Sequence, residues 1–491
     1  MEEDLSTSLA MIHRMKNRCT SVTYNLPPEI LVTVGSRLDY ESLISAIQTC
    51  NLWRTVLLSS PLLWSHFASE WGDQRILWLL EISKSVPVSV DFKGRSVPSE
   101  VVGTSLKRIS DRLISLQAVD ISFLNELLVK PLPTLRSLDV ITSGDLLSVK
   151  SLAATNLDPP LFHVPNLTSF CFKLIYHPRS SVATPRMGDN LLDFLRNCPL
   201  LEVAFFDYGD PCTDIEFTTD EESTEAVSLP YLRSFTHKSP VEIVHIGLFN
   251  RLSLQPTCDV AFTVTDGIAV KQWEGAFPAP RDPSYLADVK EVKIAVHHGE
   301  SGSVVISATF LNSRDTKVSL NRGAHFPPWN DSFWVIENFL DFLGSNKVGR
   351  SVESLHFERC RVLMPPRYTP RGLTAPLLGL GSLETIVLSK QSNPAFLLMN
   401  PPQPAVWCPR VENLVVHLEL PTIASYIREP TERDVLERVR DIAASRWKYA
   451  TPFKTVTLFL EDVETQSQEC KLLIEELRSY VGSVKVGSLR E

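Results

Sequence analysis

The sequence predicts an α/β protein in which a small helical head precedes an irregular solenoid built from repeats. Two observations lead to this prediction. The stretch from residue 26 to residue 67 concentrates helix-start signals and large apolar side chains. Beyond it, an apolar pattern at positions i, i+3 and i+5 recurs, in many cases about every 30 residues. We therefore expect a polar N-terminal segment (1–22), the helical head (23–70) and a solenoid with a C-terminal cap (71–491).

Three short helices are expected in the head. Pro27 and Pro28 favour a helix start because the first turn needs no N–H from them, and Glu29 adds negative charge at the positive end of the helix dipole. Asp39 is expected to cap the second helix, and Trp53 lies in the third. A unit of roughly 40 residues has too little interior to bury so much Leu, Ile and Trp. The head therefore needs a partner surface.

The order and spacing of residues in the head resemble the F-box family. The resemblance rests on Leu26-Pro27, Glu29-Ile30-Leu31, Leu38, Leu43, Cys50, Trp53-Arg54, Pro61 and Leu63-Trp64. Several elements at fixed offsets make this a stronger signal than one short motif. The resemblance implies that the head docks on a Skp-type adaptor of a cullin ligase. The residues expected to face that adaptor are Leu26, Pro27, Ile30, Leu31, Leu43 and Trp53.

The recurring apolar pattern predicts one strand per unit, with its three apolar residues in the core. The units begin at Leu116, Leu135, Leu167, Leu201, Leu232, Val289, Val352, Leu383, Val411 and Phe453. The third apolar residue is replaced once, by His237. Two gaps close to two periods long predict divergent units at Val260–Val264 and Val304–Ile306. The pattern resembles the irregular leucine-rich repeats that commonly follow an F-box.

Alternation along each strand sends the residues between the apolar positions to the opposite, open face, which in a solenoid binds ligands. The candidates for substrate binding on this face are Asp139, Phe205, Lys293, His356 and Glu358. Too few Arg or Lys residues are present for a phosphate-reading cluster, so we expect a protein surface or a peptide as ligand. Phe205 leads because an exposed aromatic ring supplies a large contact area. A register shifted by one residue would place Phe205 in the core instead.

Composition and charge argue against several classes of protein. A net charge of −9 without a basic run disfavours a nucleic-acid groove. The sequence has no apolar run long enough to span a bilayer, and its acidic N-terminus lacks the apolar core of a signal peptide. The 9 cysteines are scattered and never form a CxxC pair, which indicates reduced thiols and a cytoplasmic or nuclear protein.

The sequence offers no convincing catalytic, metal or cofactor site. The nearest approach is the run from His297 to Ser303, which lacks the spacing of a nucleophile elbow and of a zinc metalloprotease and is better explained as a polar hairpin. Gly379 and Gly381 lack the third glycine of a dinucleotide fingerprint. The other histidines are dispersed, without ligand-like spacing. We therefore expect no catalytic residue, no metal and no cofactor.

The resemblance implies a non-enzymatic substrate-recognition subunit of an SCF-type E3 ubiquitin ligase. In that role the head binds the adaptor and the repeats bind a protein substrate. Two alternatives stay open. One is an α/β enzyme with an unrecognised site, and the other is a repeat scaffold that does not engage the ubiquitin machinery.

Overall fold

The structure is a computed structural model whose described residues fall into two compact units. The first unit runs to Thr142 and also contains Ala154–Leu167, and the second contains the remainder. The described residues are 2–20, 26–68, 71–92, 100–118, 127, 132–143, 164–175, 192, 194–207, 226–239, 251–255, 257–264, 288–298, 303–313, 317–325, 336, 339–340, 343–344, 347–358, 377, 379–389, 410–418, 431–460 and 467–488.

The first unit combines the helical head with a small parallel sheet. Its helices are α1 (Glu2–Thr20), α2 (Pro28–Gly35), α3 (Tyr40–Thr49), α4 (Asn51–Leu58), α5 (Asp73–Ile82) and α6 (Glu100–Arg108). Its strands are β1 (His66–Ala68), β2 (Val88–Asp91), β3 (Leu113–Ala118) and β4 (Ser137–Ser143). The strands pair in parallel and in chain order. The predicted polar N-terminal segment is largely helix α1, and its described side chains are exposed.

The second unit contains a large, mostly parallel sheet. Its strands are β5 (Ser169–Ile175), β6 (Val203–Asp207), β7 (Val227–Leu229), β8 (Ser234–Ser239), β9 (Leu252–Leu254), β10 (Asp259–Val264), β11 (Val289–His298), β12 (Ser303–Asn312), β13 (Lys317–His325), β14 (Ser354–Glu358), β15 (Thr385–Leu388), β16 (Asn413–Leu418), β17 (Thr455–Leu460) and β18 (Ser483–Ser488). Helices α7 (Glu432–Lys448) and α8 (Gln468–Arg478) flank β17 in sequence. The strand order is β5-β6-β8-β10-β13-β12-β11-β14-β15-β16-β17-β18, and β7 pairs with β9 separately.

The apolar pattern sets the register of this sheet. Its middle residues lie opposite one another on neighbouring strands and form two rows, Phe170-Ala204-Phe235-Val260 and Val292-Leu355-Ile386-Leu414-Val456-Val484. Every member except Val484 on the last strand is buried. Even His237, the one polar third residue, is fully buried beside the rings of Phe206 and Phe235. The predicted burial of the pattern is therefore confirmed where the structure describes it.

Two of the predicted units are placed incorrectly. Leu116 lies opposite Leu138, so the first unit is Leu113, Leu116 and Ala118 rather than the unit predicted to start at Leu116. Val260–Val264 forms a parallel strand as predicted, but Val304–Ile306 lies in β12, which is antiparallel to both neighbours. The short connections of β12 explain this, because a tight link joins antiparallel strands whereas a parallel pair needs a long crossover. The predicted hairpin at His297 is confirmed by the β11–β12 pairing.

A ladder of backbone hydrogen bonds links the positions that follow the first apolar residue of each unit. The N–H of Glu353 donates to the carbonyl of Lys290 at 2.9 Å, and Glu384, Glu412 and Lys454 continue the series at 2.9, 2.8 and 2.8 Å. The two lysines pair with the nearest carboxylates, Lys290 with Glu353 and Lys454 with Glu412. These end lysines offset the repulsion among three neighbouring glutamates. Because the pairs are exposed to solvent, each contributes little to stability.

Helix α7 covers the C-terminal strands with a buried arginine. Thr431 and Asp434 form a capping box at its start. Near its end Arg446 is only 2% exposed, and its Nη2 donates to the carbonyl of Val411 at 2.6 Å. Its guanidinium also lies 4.3 Å from the ring centroid of Phe453. Val411 and Phe453 are the first apolar residues of two units, so Arg446 ties the helix to both.

We expect Arg446→Ala to destabilise the C-terminal part of the sheet by about 3 kcal/mol, because it removes a buried charged hydrogen bond and leaves a cavity. Amide hydrogen exchange of β16 and β17 measures this effect. Arg438→Ala, on the exposed side of the same helix, is the matched control and should change stability by no more than about 0.5 kcal/mol. Equal protection in both variants would contradict the assigned role of Arg446.

Candidate functional surfaces

The interior of the head contains two residues that were predicted to face a partner. Leu31 is 0% exposed and Leu43 is 4% exposed, so neither offers a contact surface. Both pack with the core that Leu57 and Trp64 complete, and Trp64 Nε1 donates to the carbonyl of Leu57 at 2.8 Å. The physical reason is helical geometry, since Leu31 lies about 100° around α2 from Ile30. Leu31 and Leu43 therefore stabilise the head from within.

An apolar stripe stays uncovered on the other side of α2. Ile30 is 45% exposed, Val34 is 39% exposed and Pro27 is also exposed. Their spacing of i, i+3 and i+7 places all three on one side of the helix. We refer to Pro27, Ile30 and Val34 as the head stripe. Of the other predicted contact residues, Leu26 and Trp53 are half-buried. The predicted contact set omitted Val34, although its i+4 spacing from Ile30 indicated that both residues lie on the same side of the helix.

An aromatic cluster fastens the head to helix α5 within the first unit. The rings of Tyr40 and Trp71 stack at 4.0 Å, and Trp64 meets Trp78 edge-on at 5.5 Å. The guanidinium of Arg75 lies 4.9 Å from the ring centroid of Tyr40 and pairs with a carboxylate of α3 at 3.1 Å. Burial of such rings and their edge-to-face packing stabilise the junction. The head is thus held in one orientation relative to α5.

Phe205 lies on the open face of the sheet. Ala204 and Phe206 on either side are 1% and 0% exposed, which excludes the register that would bury Phe205 in the core. The ring is half-buried, and the ammonium groups of Lys173 and Lys238 each lie 5.3 Å from its centroid. Its predicted role in substrate binding stays a prediction, but its predicted face is confirmed.

A second open-face cluster lies where β11 meets β14. His356 Nε2 is 2.9 Å from Ser354 Oγ and 3.5 Å from the Glu291 carboxylate, which also pairs with Lys293 at 3.0 Å. A serine–histidine–carboxylate relay needs the carboxylate on the other ring nitrogen, so this trio lacks the relay geometry. Burial lowers the pKa of His356, although Glu291 and Glu358 partly oppose that effect. The cluster is an ion-pair network around a neutral imidazole.

The predicted substrate residues of the second unit lie at two separate places. Asp139 belongs to the first unit, where it accepts a hydrogen bond from Gln117. In the second unit, Phe205 and Lys293 lie on strands separated by β8, β10, β13 and β12. At about 4.8 Å per strand these two residues are roughly 24 Å apart. The open face therefore carries separate chemical sites rather than one pocket.

One open-face pair is absent from the residues predicted from the sequence. The rings of His417 and Phe459 stack at 4.5 Å on neighbouring strands. A Cβ at Gly487 on the next strand would lie 3.0 Å from the Phe459 ring, so the glycine leaves room for that ring. The same alternation that identified Phe205 would have identified both aromatic residues.

Several cysteine side chains elsewhere are unreactive because they are buried. Burial raises the pKa of Cys198 and of Cys258 to about 12, so both thiols stay protonated at neutral pH. Cys470 is also buried, whereas Cys19 is exposed. Among the described residues, no group of His, Cys, Asp and Glu is placed to hold a metal ion. No helix within the described ranges is long and apolar enough to cross a membrane.

We expect acid to weaken the fold through His356. Its folded pKa lies below the ordinary value of about 6.5, so the unfolded chain takes up a proton first as pH falls. The stability contributed by neutral His356 is present above that value and is lost as pH falls through the folded pKa. Urea unfolding between about pH 7.5 and pH 5 should therefore show a smaller loss for His356→Gln than for the unchanged chain. Replacement of exposed His66 by Gln is the control, and identical slopes for His356→Gln and the unchanged chain would contradict the assignment.

A sequence model of the family described as F-box-like matches residues 23–69. A search of curated proteins finds no match to the chain. The matched segment contains α2, α3 and α4, the buried Trp64 and the head stripe, and it agrees closely with the head predicted at 23–70. The chain carries an F-box-like domain at residues 23–69.

Proposed function

We propose that this protein is a non-enzymatic substrate-recognition subunit of an SCF-type E3 ubiquitin ligase. F-box-like domains generally bind Skp-type adaptors, and the single observation that supports the proposal is the F-box-like match at residues 23–69. The head stripe lies inside that match and is the apolar surface an adaptor would cover. A cullin is the further partner that such an adaptor brings.

In this role the chain performs no bond chemistry. It binds a protein substrate on the open face of the sheet and raises the effective concentration of a substrate lysine near a ubiquitin-charged enzyme. The aromatic cluster around Tyr40 and Trp64 supports the role. Because it fixes the head, an adaptor bound to the head would be held in a fixed position relative to the first strands. The ligase role also implies a cytoplasmic or nuclear location.

The body fits an irregular leucine-rich-repeat-like solenoid as the substrate-binding part. The in-register rows of apolar residues and the recurring charged ladder support this assignment. The antiparallel strands β11 to β13 make the repeat irregular. Short parallel units with an open face suit a ligase subunit, since an extended surface holds a protein ligand without a deep pocket.

Affinity purification with the proteasome inhibited tests the proposal. The intact chain should recover a Skp-type adaptor, a cullin and a ubiquitinated protein, whereas a chain lacking residues 26–67 should lose the adaptor and the cullin. Recovery of no adaptor by the intact chain would favour the scaffold alternative. Substrate turnover by the isolated chain would favour an enzyme instead.

A single charged substitution on the head stripe gives a sharper test. Ile30→Asp should weaken adaptor binding at least roughly thirtyfold, because it places a charge where an apolar anchor must be desolvated. The fold should persist, since Ile30 is exposed and an acidic residue suits the first turn of α2. Calorimetry with a purified Skp-type adaptor measures the loss. Gln48→Asp, at an exposed position of α3, is the charge-matched control.

Leu31→Ala distinguishes interior packing from direct contact. Truncation of this buried leucine should lower the stability of the head by about 3 kcal/mol. Adaptor binding should therefore fall together with the melting temperature of the head. Circular dichroism and adaptor binding are measured on the same preparation. Loss of binding by a fully folded Leu31→Ala variant would show that Leu31 contacts the adaptor after all.

A further inference from the structure

We propose that Phe205, Lys173 and Lys238 form a recognition site for an acidic peptide that carries an apolar side chain beside a carboxylate. This inference rests on the proposed function and names the substrate class that the open face would take. It depends on three features: the position of the residues on the parallel strands, the balance of charge, and the shape of the surface around the ring.

The three residues occupy adjacent rows on β5, β6 and β8. Cys171, Phe205 and Thr236 lie opposite one another in one row. The next row, two residues further along each strand, contains Lys173 and Lys238 on either side of Asp207. This second row therefore lies nearer the carboxyl ends of the three strands, the side on which open parallel sheets generally bind ligands. Both lysines reach back to the Phe205 ring.

The charge of this cluster is positive in a chain of net charge −9. Asp207 pairs with Lys238 at 3.6 Å, and both side chains are partly exposed at 28% and 38%. Among the described residues, Lys173 has the Phe205 ring as its contact and no carboxylate within ion-pair distance. A cation–π contact at an exposed site contributes little to stability. The Lys173 ammonium can therefore turn to an incoming carboxylate at little cost.

The surface beside the ring suits an apolar side chain. The neighbours of Phe205 in its row are the small residues Cys171 and Thr236, and Ala261 follows on β10. None of these side chains is as large as an aromatic ring. An apolar side chain of the ligand can therefore lie against Phe205 while the adjacent carboxylate pairs with the lysines. An aromatic anchor flanked by charge is typical of protein recognition sites.

Lysine chemistry favours a carboxylate over a phosphate. Phosphate-reading sites use the bidentate fork of arginine, whereas each lysine here supplies only a compact point charge. The Asp207 carboxylate between the two lysines also opposes a doubly charged phosphate more strongly than a single carboxylate. The site therefore fits an unmodified Asp- or Glu-containing segment.

The test uses the full chain and a short fluorescein-labelled peptide of alternating glutamate and leucine, followed by fluorescence anisotropy. We expect binding that weakens with salt, falls about tenfold in the Lys173→Gln, Lys238→Gln double variant and falls similarly in Phe205→Ala. A peptide with glutamine in place of glutamate should bind at least about tenfold more weakly. Lys485→Gln removes an exposed lysine from β18, at the far end of the strand order, and should bind like the unchanged chain.

Several outcomes would overturn the inference. These are equal binding of the glutamate and glutamine peptides, an equal loss in Lys485→Gln, or much tighter binding of a matched phosphoserine peptide. Sedimentation that showed a dimer abolished by Phe205→Ala would assign the surface to a second copy of the chain instead. Thermal unfolding of each variant should match the unchanged chain. Adaptor binding is measured in parallel, so intact adaptor binding without peptide discrimination would reject this site while leaving the proposed function in place.

Discussion

The register of buried apolar rows is the constraint on which the rest of the second unit depends. In the strands that carry the apolar pattern, a slip of one residue would turn the whole apolar set to the open face. The rows through Ala204 and through Ile386 therefore hold the parallel strands that they join in register. His237 shows how strong this constraint is, because a polar residue at a core position is still fully buried. The composition of the open face follows from this register, because residues that alternate with the buried ones along a strand must point to the opposite face.

The head is subject to a different constraint. It has many apolar residues, and some of them face its interior whereas others face outward. Leu31 and Leu57 face inward, and Gly35 allows α2 to end close against α4, since a Cβ there would lie 2.8 Å from Leu57 Cδ2. Trp64 and its aromatic neighbours attach this core to α5. Ile30 and Val34 remain uncovered, so the expectation that the head needs a partner surface agrees with an exposed head stripe.

The antiparallel strands β11 to β13 shape the chemistry of the open face. They insert a hairpin between the parallel strands that carry Phe205 and those that carry His356. One side of this insertion presents an aromatic ring between lysines, and the other presents an ion-pair network around an imidazole. A ligand that engaged both would have to be extended, which suits a protein segment better than a small molecule.

Local signals in the sequence were sufficient for the elements whose partners are close in the chain. The cap at Asp39 and the apolar spacing of the strands depend on residues a few positions away, and they form as predicted. The domain match at 23–69 likewise follows from closely spaced residues. These features determined the mixed α/β composition, the helical head and the face on which Phe205 lies.

Only the tertiary structure decided which apolar residues are covered and which strands pair in which direction. Leu31 and Ile30 are adjacent and equally apolar, and their opposite burial depends on α4 and the residues around Trp64. Val304–Ile306 has the composition of a buried parallel strand, yet its neighbours on both sides make it antiparallel. The contact of His356 with the Glu291 carboxylate likewise joins two strands that are distant in sequence. Burial, pairing direction and ion-pair geometry depend on residues far away along the chain. The local periodicity of apolar residues therefore does not predict these three properties.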